Sequence, residues 1–177
     1  NTKNEIKTLN LQTLKKIAND YIKGARVLKR YTQAEIGGIA KGGEILSETI
    51  LYLGANEATS NEIDQSEQQE ALIEKYAKAK GVWVENTRES LTEQYGEPIF
   101  DLKDNQNQEA IVFAKDGNTL IKSQNIAMYG FLPMNKIDSI VLQNTYFKEG
   151  AVKVVGFGRD ENGDFQVVIE QQFIEAH

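Results

Sequence analysis

Few residues in this sequence belong to the types that usually carry enzyme chemistry. The chain has no cysteine, which excludes disulfides, thiolate nucleophiles and cysteine-ligated metals. Its single histidine, His177, is the last residue, and this position argues against a Ser-His-Asp triad and a histidine-rich metal site. We therefore predict no catalytic residue from residue types alone.

One run of oxygen-bearing side chains has a spacing that suits a metal. Asp160, Asn162 and Asp164 alternate like the first ligands of a calcium-binding loop. However, the glycine lies at position 163 instead of after the third ligand, and Gln171 holds the twelfth position, where such loops carry a bidentate glutamate. Because an Asn-Gly pair favours a tight hairpin turn, we predict a turn here and no metal site.

The charge balance narrows the classes of partner. The formal net charge is −6 and the isoelectric point is about 5.0, whereas binding to nucleic acids or anionic membranes needs a basic face. The sequence contains no apolar run of about 20 residues, the length that a bilayer crossing requires. We therefore predict a cytoplasmic protein that binds neither nucleic acid nor membrane.

Apolar spacing predicts helices in the first part of the chain. Two amphipathic stripes, over residues 14–31 and 36–53, recur with the period of a helix. The second stripe contains or follows Gly-Gly pairs, and the Gly38/Gly42 spacing indicates close helix packing or a loop. A polar linker follows over residues 54–66, and then a third helix that we expect Gly81 to end.

The second part of the chain predicts short strands around one helix. The strands are expected at residues 82–84, 98–102, 110–114, 119–122, 152–157 and 165–169, with turn signals at Asp116-Gly117 and Asn162-Gly163. Pro133 suits the first position of a helix whose inward stripe ends at Phe147. The predicted fold class is α+β: a helical segment with its linker over residues 1–66, then a domain over 67–177 in which one helix packs on a small antiparallel sheet.

The order strand, strand, strand, helix, strand, strand is also that of the amino-terminal lobe of protein kinases. The residues that carry the resemblance are Ala110-Ile111-Val112-Phe113, Leu120-Ile121-Lys122, Ile137-Asp138-Ser139-Ile140, the run from Val155 to Gly163, and the run from Val168 to Ile174. Together they resemble the kinase-like domain of polyvalent proteins from phages and mobile elements, of the type common in Bacteroidales. The resemblance covers roughly the last hundred residues.

The resemblance implies a nucleotide site. Lys122 matches the lysine that pairs with the phosphates, Asp138 the acidic helix residue that pairs with that lysine, and Glu170 and Gln172 the hinge whose backbone reads adenine. From the residues alone, Lys122 is also explained as a surface lysine at a strand end and Asp138 as an exposed helix carboxylate. The segment from Glu170 to Gln172 is equally explained as the last strand.

The sequence also departs from the kinase pattern. Residues 101–109 hold the place of the glycine-rich loop but contain no glycine, and their acidic side chains repel phosphate. The catalytic loop and the magnesium aspartate are expected beyond His177. We therefore expect no bound cofactor and at most weak binding of ATP with magnesium.

Two hypotheses follow. The first is a truncated or degenerate kinase-like amino-terminal lobe, a pseudokinase-like module that is not catalytic alone and that needs a carboxy-terminal lobe. The second is a non-enzymatic interaction module, in which the α+β part is a scaffold and the amino-terminal helices bind a protein partner or form an oligomer.

Overall fold

The structure, a computed structural model, describes residues 29–56, 65–101, 110–126, 132–147 and 150–172. Its helices are α1 Gln33–Lys41, α2 Gly43–Ala55, α3 Gln65–Lys80, α4 Thr87–Tyr95 and α5 Pro133–Tyr146. Its strands are β1 Trp83–Val84, β2 Phe100–Asp101, β3 Ala110–Ala114, β4 Thr119–Asn125, β5 Val152–Arg159 and β6 Phe165–Gln172. Most of the segment over residues 101–109, and almost all of the helix predicted over residues 14–31, lie outside the described residues.

The second predicted helix is two helices. Thr32 begins α1 with a capping box, in which its hydroxyl accepts from the Glu35 N–H and the Glu35 carboxylate accepts from the Thr32 N–H. Gly42 ends α1 as its C-cap, and Gly43, whose φ is +92°, begins α2. The pair Gly42-Gly43 therefore marks a break in this stripe, whereas Gly37 and Gly38 lie inside α1.

The sheet has six strands in the order β1-β5-β6-β4-β3-β2. The five strands from β2 to β6 are antiparallel, as predicted, and β1 adds a short parallel edge beside β5. Glycine makes this edge possible, because a Cβ on Gly158 would lie 2.1 Å from the carbonyl oxygen of Val84. The described residues thus form the α+β fold that the pattern predicts.

Helices α1, α2, α3 and α5 cover one face of the sheet, which we call the α5 face. Its core joins apolar residues of the amino-terminal helices, of α5 and of the central strands, among them Ile39, Leu46, Ile50, Ile137, Val141, Val154 and Ile169. The helices α1 and α2 therefore bury their apolar sides on the same core as the sheet. The domain boundary at residues 66/67 stays a prediction.

Helix α4 covers part of the other face, which we call the α4 face. It packs Leu91 and Tyr95 against a small core from β3, β4 and β6. The sequence pattern predicts no helix between the strands expected at residues 82–84 and 98–102, which is wrong. The missed signals are Asn86, whose side chain caps the helix by accepting from the Glu89 N–H, and Gly96, whose φ of +86° ends it.

The turn after β5 is the predicted hairpin turn. Asp160 Oδ1 accepts hydrogen bonds from the N–H groups of Asn162 and Asp164, both at 2.9 Å. Among the described residues, no group of three or more His, Cys, Asp and Glu side chains is arranged to hold a metal ion. Nor does any described helix combine the length and the apolar character of a membrane span.

Candidate functional site

Lys122 lies in the middle of β4 on the α5 face of the sheet. Its register partners are Val112 on β3 and Ile169 on β6. Directly opposed residues of antiparallel strands project to the same side, and Ile169 belongs to the core under α5. The lysine is half-buried on the same face of the sheet as α5, so it does not lie in open solvent.

Beyond Lys122, the α5 face continues as an apolar surface that is partly exposed. Val112 and Phe100 continue the row of Lys122 towards the edge strand, and Leu120 and Ala114 form the next row. Phe100 is 56% exposed, although it is a large apolar side chain. We call Phe100, Val112, Leu120 and Ala114 the open strip. Lys122 therefore lies between a covered core and an apolar surface that is partly exposed.

A second lysine approaches Lys122 from the helix. Lys136 lies one turn before Ile140 and next to Ile137, on the stripe of α5 that faces the sheet, and it is half-buried. Burial, and then the charge of Lys122, hold the pKa of Lys136 below its ordinary value. The helix residue whose pKa responds to the charge of Lys122 is thus another cation, and not an acid.

The charges of these two lysines are not matched by local acids. Within the described ranges, neither ammonium group has a carboxylate within ion-pair distance or a hydrogen-bond acceptor. Helix α5 also has no acidic residue in its first turn, where the helix dipole disfavours a cation such as Lys136. A positive potential therefore collects where α5 begins, next to the open strip.

Asp138, the predicted partner of the lysine, is bonded elsewhere. Its Oδ1 accepts a hydrogen bond of 2.6 Å from the hydroxyl of Tyr31. Burial and then this bond raise the pKa of Tyr31 far above the ordinary tyrosine value. Asp138 therefore ties the amino-terminal segment to α5.

Glu170 and Gln172 lie at the carboxyl end of β6. Glu170 pairs in register with Ile121 and thus projects to the α4 face, opposite to Lys122, where it forms an ion pair with Lys115. Gln172 is the last residue of β6, pairs with Thr119 and is exposed. The structure does not bring the side chains of these two residues together with Lys122, whereas their backbone lies on the strand beside it.

Sequence reasoning missed Lys136. The signal was present, because the inward stripe that contains Ile137, Ile140 and Val141 also passes through position 136. The kinase pattern requires an acidic residue in this helix, so the sequence predicted Asp138 and not Lys136 as the residue near Lys122.

A protein-family model matches the second part of the chain. The model described as "Serine/Threonine/Tyrosine Kinase found in polyvalent proteins" matches residues 66–177, more than half of the chain. The chain belongs to this family. No curated protein and no solved structure matches it. This family is the one that the sequence resembles, so the family prediction is confirmed. After α4 the structure has three strands, one helix and two strands, which is the element order of that resemblance.

The chemistry of the family requires nucleotide phosphates and a divalent cation. The two lysines fit phosphate oxygens, because an ammonium group donates three hydrogen bonds and neither lysine has an acceptor among the described residues. The described residues offer no comparable acidic cluster for the cation.

Proposed function

We propose that residues 66–177 act as the amino-terminal lobe of a kinase-like module in a polyvalent protein of a phage or mobile element of the Bacteroidales type. In this proposal, Lys122 contacts the phosphates of a nucleotide, and the backbone of Glu170 and Gln172 lies along its base. The observation that carries the proposal is the position of Lys122, which is half-buried on the α5 face of the sheet and borders the open strip.

The open strip supports the idea of a second lobe. Phe100 is more than half exposed and lies in the same row as Val112 and Lys122. Apolar surface of this kind is stabilised when a ligand or another domain covers it, at about 25 cal/mol per Å² removed from water. A second lobe that closes over the strip would sandwich the nucleotide base and bring catalytic groups to the phosphates.

We further propose that the chain alone does not catalyse phosphoryl transfer. Transfer needs groups on both sides of the phosphates, including a residue that orients the acceptor hydroxyl and acids that hold magnesium. In our proposal the second lobe supplies these groups. This module therefore binds nucleotide weakly by itself and is a degenerate or incomplete kinase, with Asp138 bonded to Tyr31 instead of serving the lysine.

Isothermal titration of the full 177-residue chain with Mg-ATP tests the proposal. We expect weak binding that Lys122→Met abolishes and that Lys75→Met, a change of an exposed lysine on α3, leaves unchanged. A parallel assay with radiolabelled ATP should detect no transfer to protein substrates. Binding that persists in Lys122→Met, or turnover by the chain alone, would contradict the proposal.

The second candidate function is an interaction module without nucleotide chemistry. Three apolar side chains near the end of α5, Leu142, Tyr146 and Phe147, are 45%, 71% and 65% exposed. Phe147 was predicted to face inward, which is wrong because the helix ends at Tyr146 and position 147 is extended. This alternative predicts that Leu142→Ser and Tyr146→Ser abolish binding to a protein partner or a second copy, measured by light scattering, while nucleotide has no effect.

A further inference from the structure

We propose that Lys122 and Lys136 together form a site for a phosphate group, in which the anion takes the place of a carboxylate between sheet and helix. The proposal deepens the proposed function and rests on it only for the identity of the ligand, a nucleotide. The chemistry itself requires a phosphate or diphosphate from any source.

The first support is geometric. Lys122 projects from the centre of the sheet towards α5, and Lys136 belongs to the stripe of α5 that faces the sheet. The two side chains are half-buried, and Lys122 lies in the same row as Phe100, which is exposed. A small anion that approaches along this row therefore reaches Lys122 from the solvent-exposed edge of the sheet.

The second support is electrostatic. A half-buried cation normally finds a carboxylate or a hydrogen-bond acceptor, because removing it from water is otherwise costly. Here two cations lie near each other without such a partner among the described residues, and one of them lies in the first turn of a helix. Each of these three features is unfavourable in the free protein and becomes favourable when a dianion binds.

The remainder of the molecule shows that this arrangement is unusual for the chain. Another half-buried lysine, Lys80 on α3, is matched by two acids: its Nζ lies 2.7 Å from Glu44 and 3.2 Å from Glu48. The pKa of Lys80 is raised by these bonds although burial opposes the rise, whereas the pKa of Lys136 is lowered. The charge of Lys80 is thus neutralised by acids of the protein itself. Lys122 and Lys136 have no such acid among the described residues, and in the proposal a bound anion neutralises them.

The experiment titrates the full chain with sodium pyrophosphate at low ionic strength and follows the heat of binding. We expect Lys122→Gln and Lys136→Gln each to weaken binding by about tenfold or more, the usual effect of losing a charge-assisted hydrogen bond. Lys136→Arg should retain binding, because it keeps the charge. The control Lys75→Gln removes one positive charge from an exposed part of α3 and should change the affinity less than about twofold, because exposed charges are screened.

A thermal melt separates a binding role from a structural one. Pyrophosphate should raise the midpoint of the wild-type chain and leave that of Lys136→Gln unchanged. Without ligand, Lys136→Gln should melt at or above the wild-type midpoint, because the change removes like-charge repulsion with Lys122. A lower midpoint without ligand would indicate that Lys136 supports the fold and would overturn the proposal.

The remaining outcomes separate the two-lysine site from the nucleotide role under the proposed function. Wild-type binding weaker than about 1 mM, or equal binding by Lys136→Gln, would overturn the two-lysine site. If pyrophosphate binds as expected but Mg-ATP neither binds nor competes, the site stands and the nucleotide role under the proposed function fails. If Mg-ATP competes with pyrophosphate and Lys136→Gln weakens both, the two proposals are supported together.

Discussion

The two ends of helix α5 are built in opposite ways. At the carboxyl end, Asn144 is fully buried and its amide is completely used: Nδ2 donates to the carbonyl oxygens of Val152 and Gly38 at 2.8 and 3.3 Å, and Oδ1 accepts from the Val152 N–H at 2.7 Å. At the amino end, Lys136 is half-buried beside Lys122 and finds no acceptor among the described residues.

This contrast separates stability from binding. A buried polar group whose hydrogen bonds are all made fixes the relative position of the elements that it joins, here α1, α5 and β5. A half-buried charge without a partner lowers stability, and such groups concentrate at binding sites. We therefore interpret the carboxyl end of α5 as the anchor of the helix and its amino end as the part that meets a ligand.

The largest expected effect comes from breaking the anchor. Asn144→Leu keeps a side chain of similar size but removes the amide that bonds both the N–H and the carbonyl group of Val152 in the core, whereas the Gly38 carbonyl keeps its bond from the Gly42 N–H. Unsatisfied buried groups cost about 1–3 kcal/mol each, and we expect a total loss of about 2–4 kcal/mol in the free energy of unfolding. Urea denaturation followed by circular dichroism measures this loss.

The matched control for Asn144 lies on the same helix. Asn135 is exposed in the first turn of α5, so Asn135→Leu should change the free energy of unfolding by less than about 0.5 kcal/mol. Equal losses in the two variants would mean that the buried amide is not the anchor, and the contrast between the helix ends would fail.

A second prediction concerns the packing of α1 on the anchored end. A Cβ on Gly38 would lie 2.3 Å from Thr145 Oγ1 and 2.7 Å from the carbonyl oxygen of Val141, so Gly38→Ala should destabilise the protein by about 1–3 kcal/mol. Its neighbour Gly37 has open space at the same position, so Gly37→Ala should stabilise α1 by about 0.5–1 kcal/mol. Thermal melts of the two variants give the comparison, and shifts in the same direction would refute the close contact.

Much of the fold could be predicted because local signals agreed with the final structure. Asp116-Gly117 and Asn162-Gly163 mark two hairpins that the structure contains, Pro133 begins α5, and Gly81 follows α3 with a φ of +80°. The Gly38 and Gly42 spacing indicated close helix packing or a loop, and Gly38 indeed lies against α5.

Other parts depend on distant contacts that no local pattern carries. Strand β1 is two residues long and exists because Gly156 and Gly158 let it approach β5. Helix α4 was missed because its stripe has only two large apolar residues, Leu91 and Tyr95. At the site, Lys122 was found through the family resemblance, whereas its approach to Lys136 depends on how the helix is rotated on the sheet.

A third prediction concerns the charge of Lys136 at the amino end of α5. Lys136→Met keeps the length of the side chain and removes the charge, and replacing a buried charge by an apolar group of similar volume is often stabilising. We expect the free energy of unfolding at pH 7 to rise by about 1 kcal/mol, measured by urea denaturation. A loss of stability of the same size would show that Lys136 has a stabilising partner and that the two ends of α5 are not opposites.

The pH dependence of the same variant sharpens this prediction. Because the pKa of Lys136 in the folded state is lower than in the unfolded state, the unfolded chain binds more protons between the two values. The penalty from Lys136 is therefore fully present at neutral pH and is relieved as the pH rises towards the ordinary lysine value of about 10.4. The stability advantage of Lys136→Met should shrink over that range, and an advantage that does not change with pH would contradict the charge explanation.

The smallest expected effect concerns the bond between Tyr31 and Asp138, which lies between the two ends of α5. Tyr31→Phe removes the 2.6 Å hydrogen bond, and we expect a loss of about 1 kcal/mol in the free energy of unfolding. Because the pKa of Tyr31 is raised in the folded state, this contribution is complete at neutral pH and is lost as the pH rises above about 10, where the unfolded tyrosine ionises. Absorbance at 295 nm follows the ionisation.

The same variant decides what Asp138 does when it is released. If Asp138 only anchors the amino-terminal segment, Tyr31→Phe should leave pyrophosphate binding unchanged, because the anion still meets Lys122 and Lys136. If the freed carboxylate turns to Lys122, it competes with the anion, and pyrophosphate binding should weaken. The second result would mean that Tyr31 keeps an acidic side chain away from the lysine pair, so that the amino-terminal segment controls the site as well as the stability of α5.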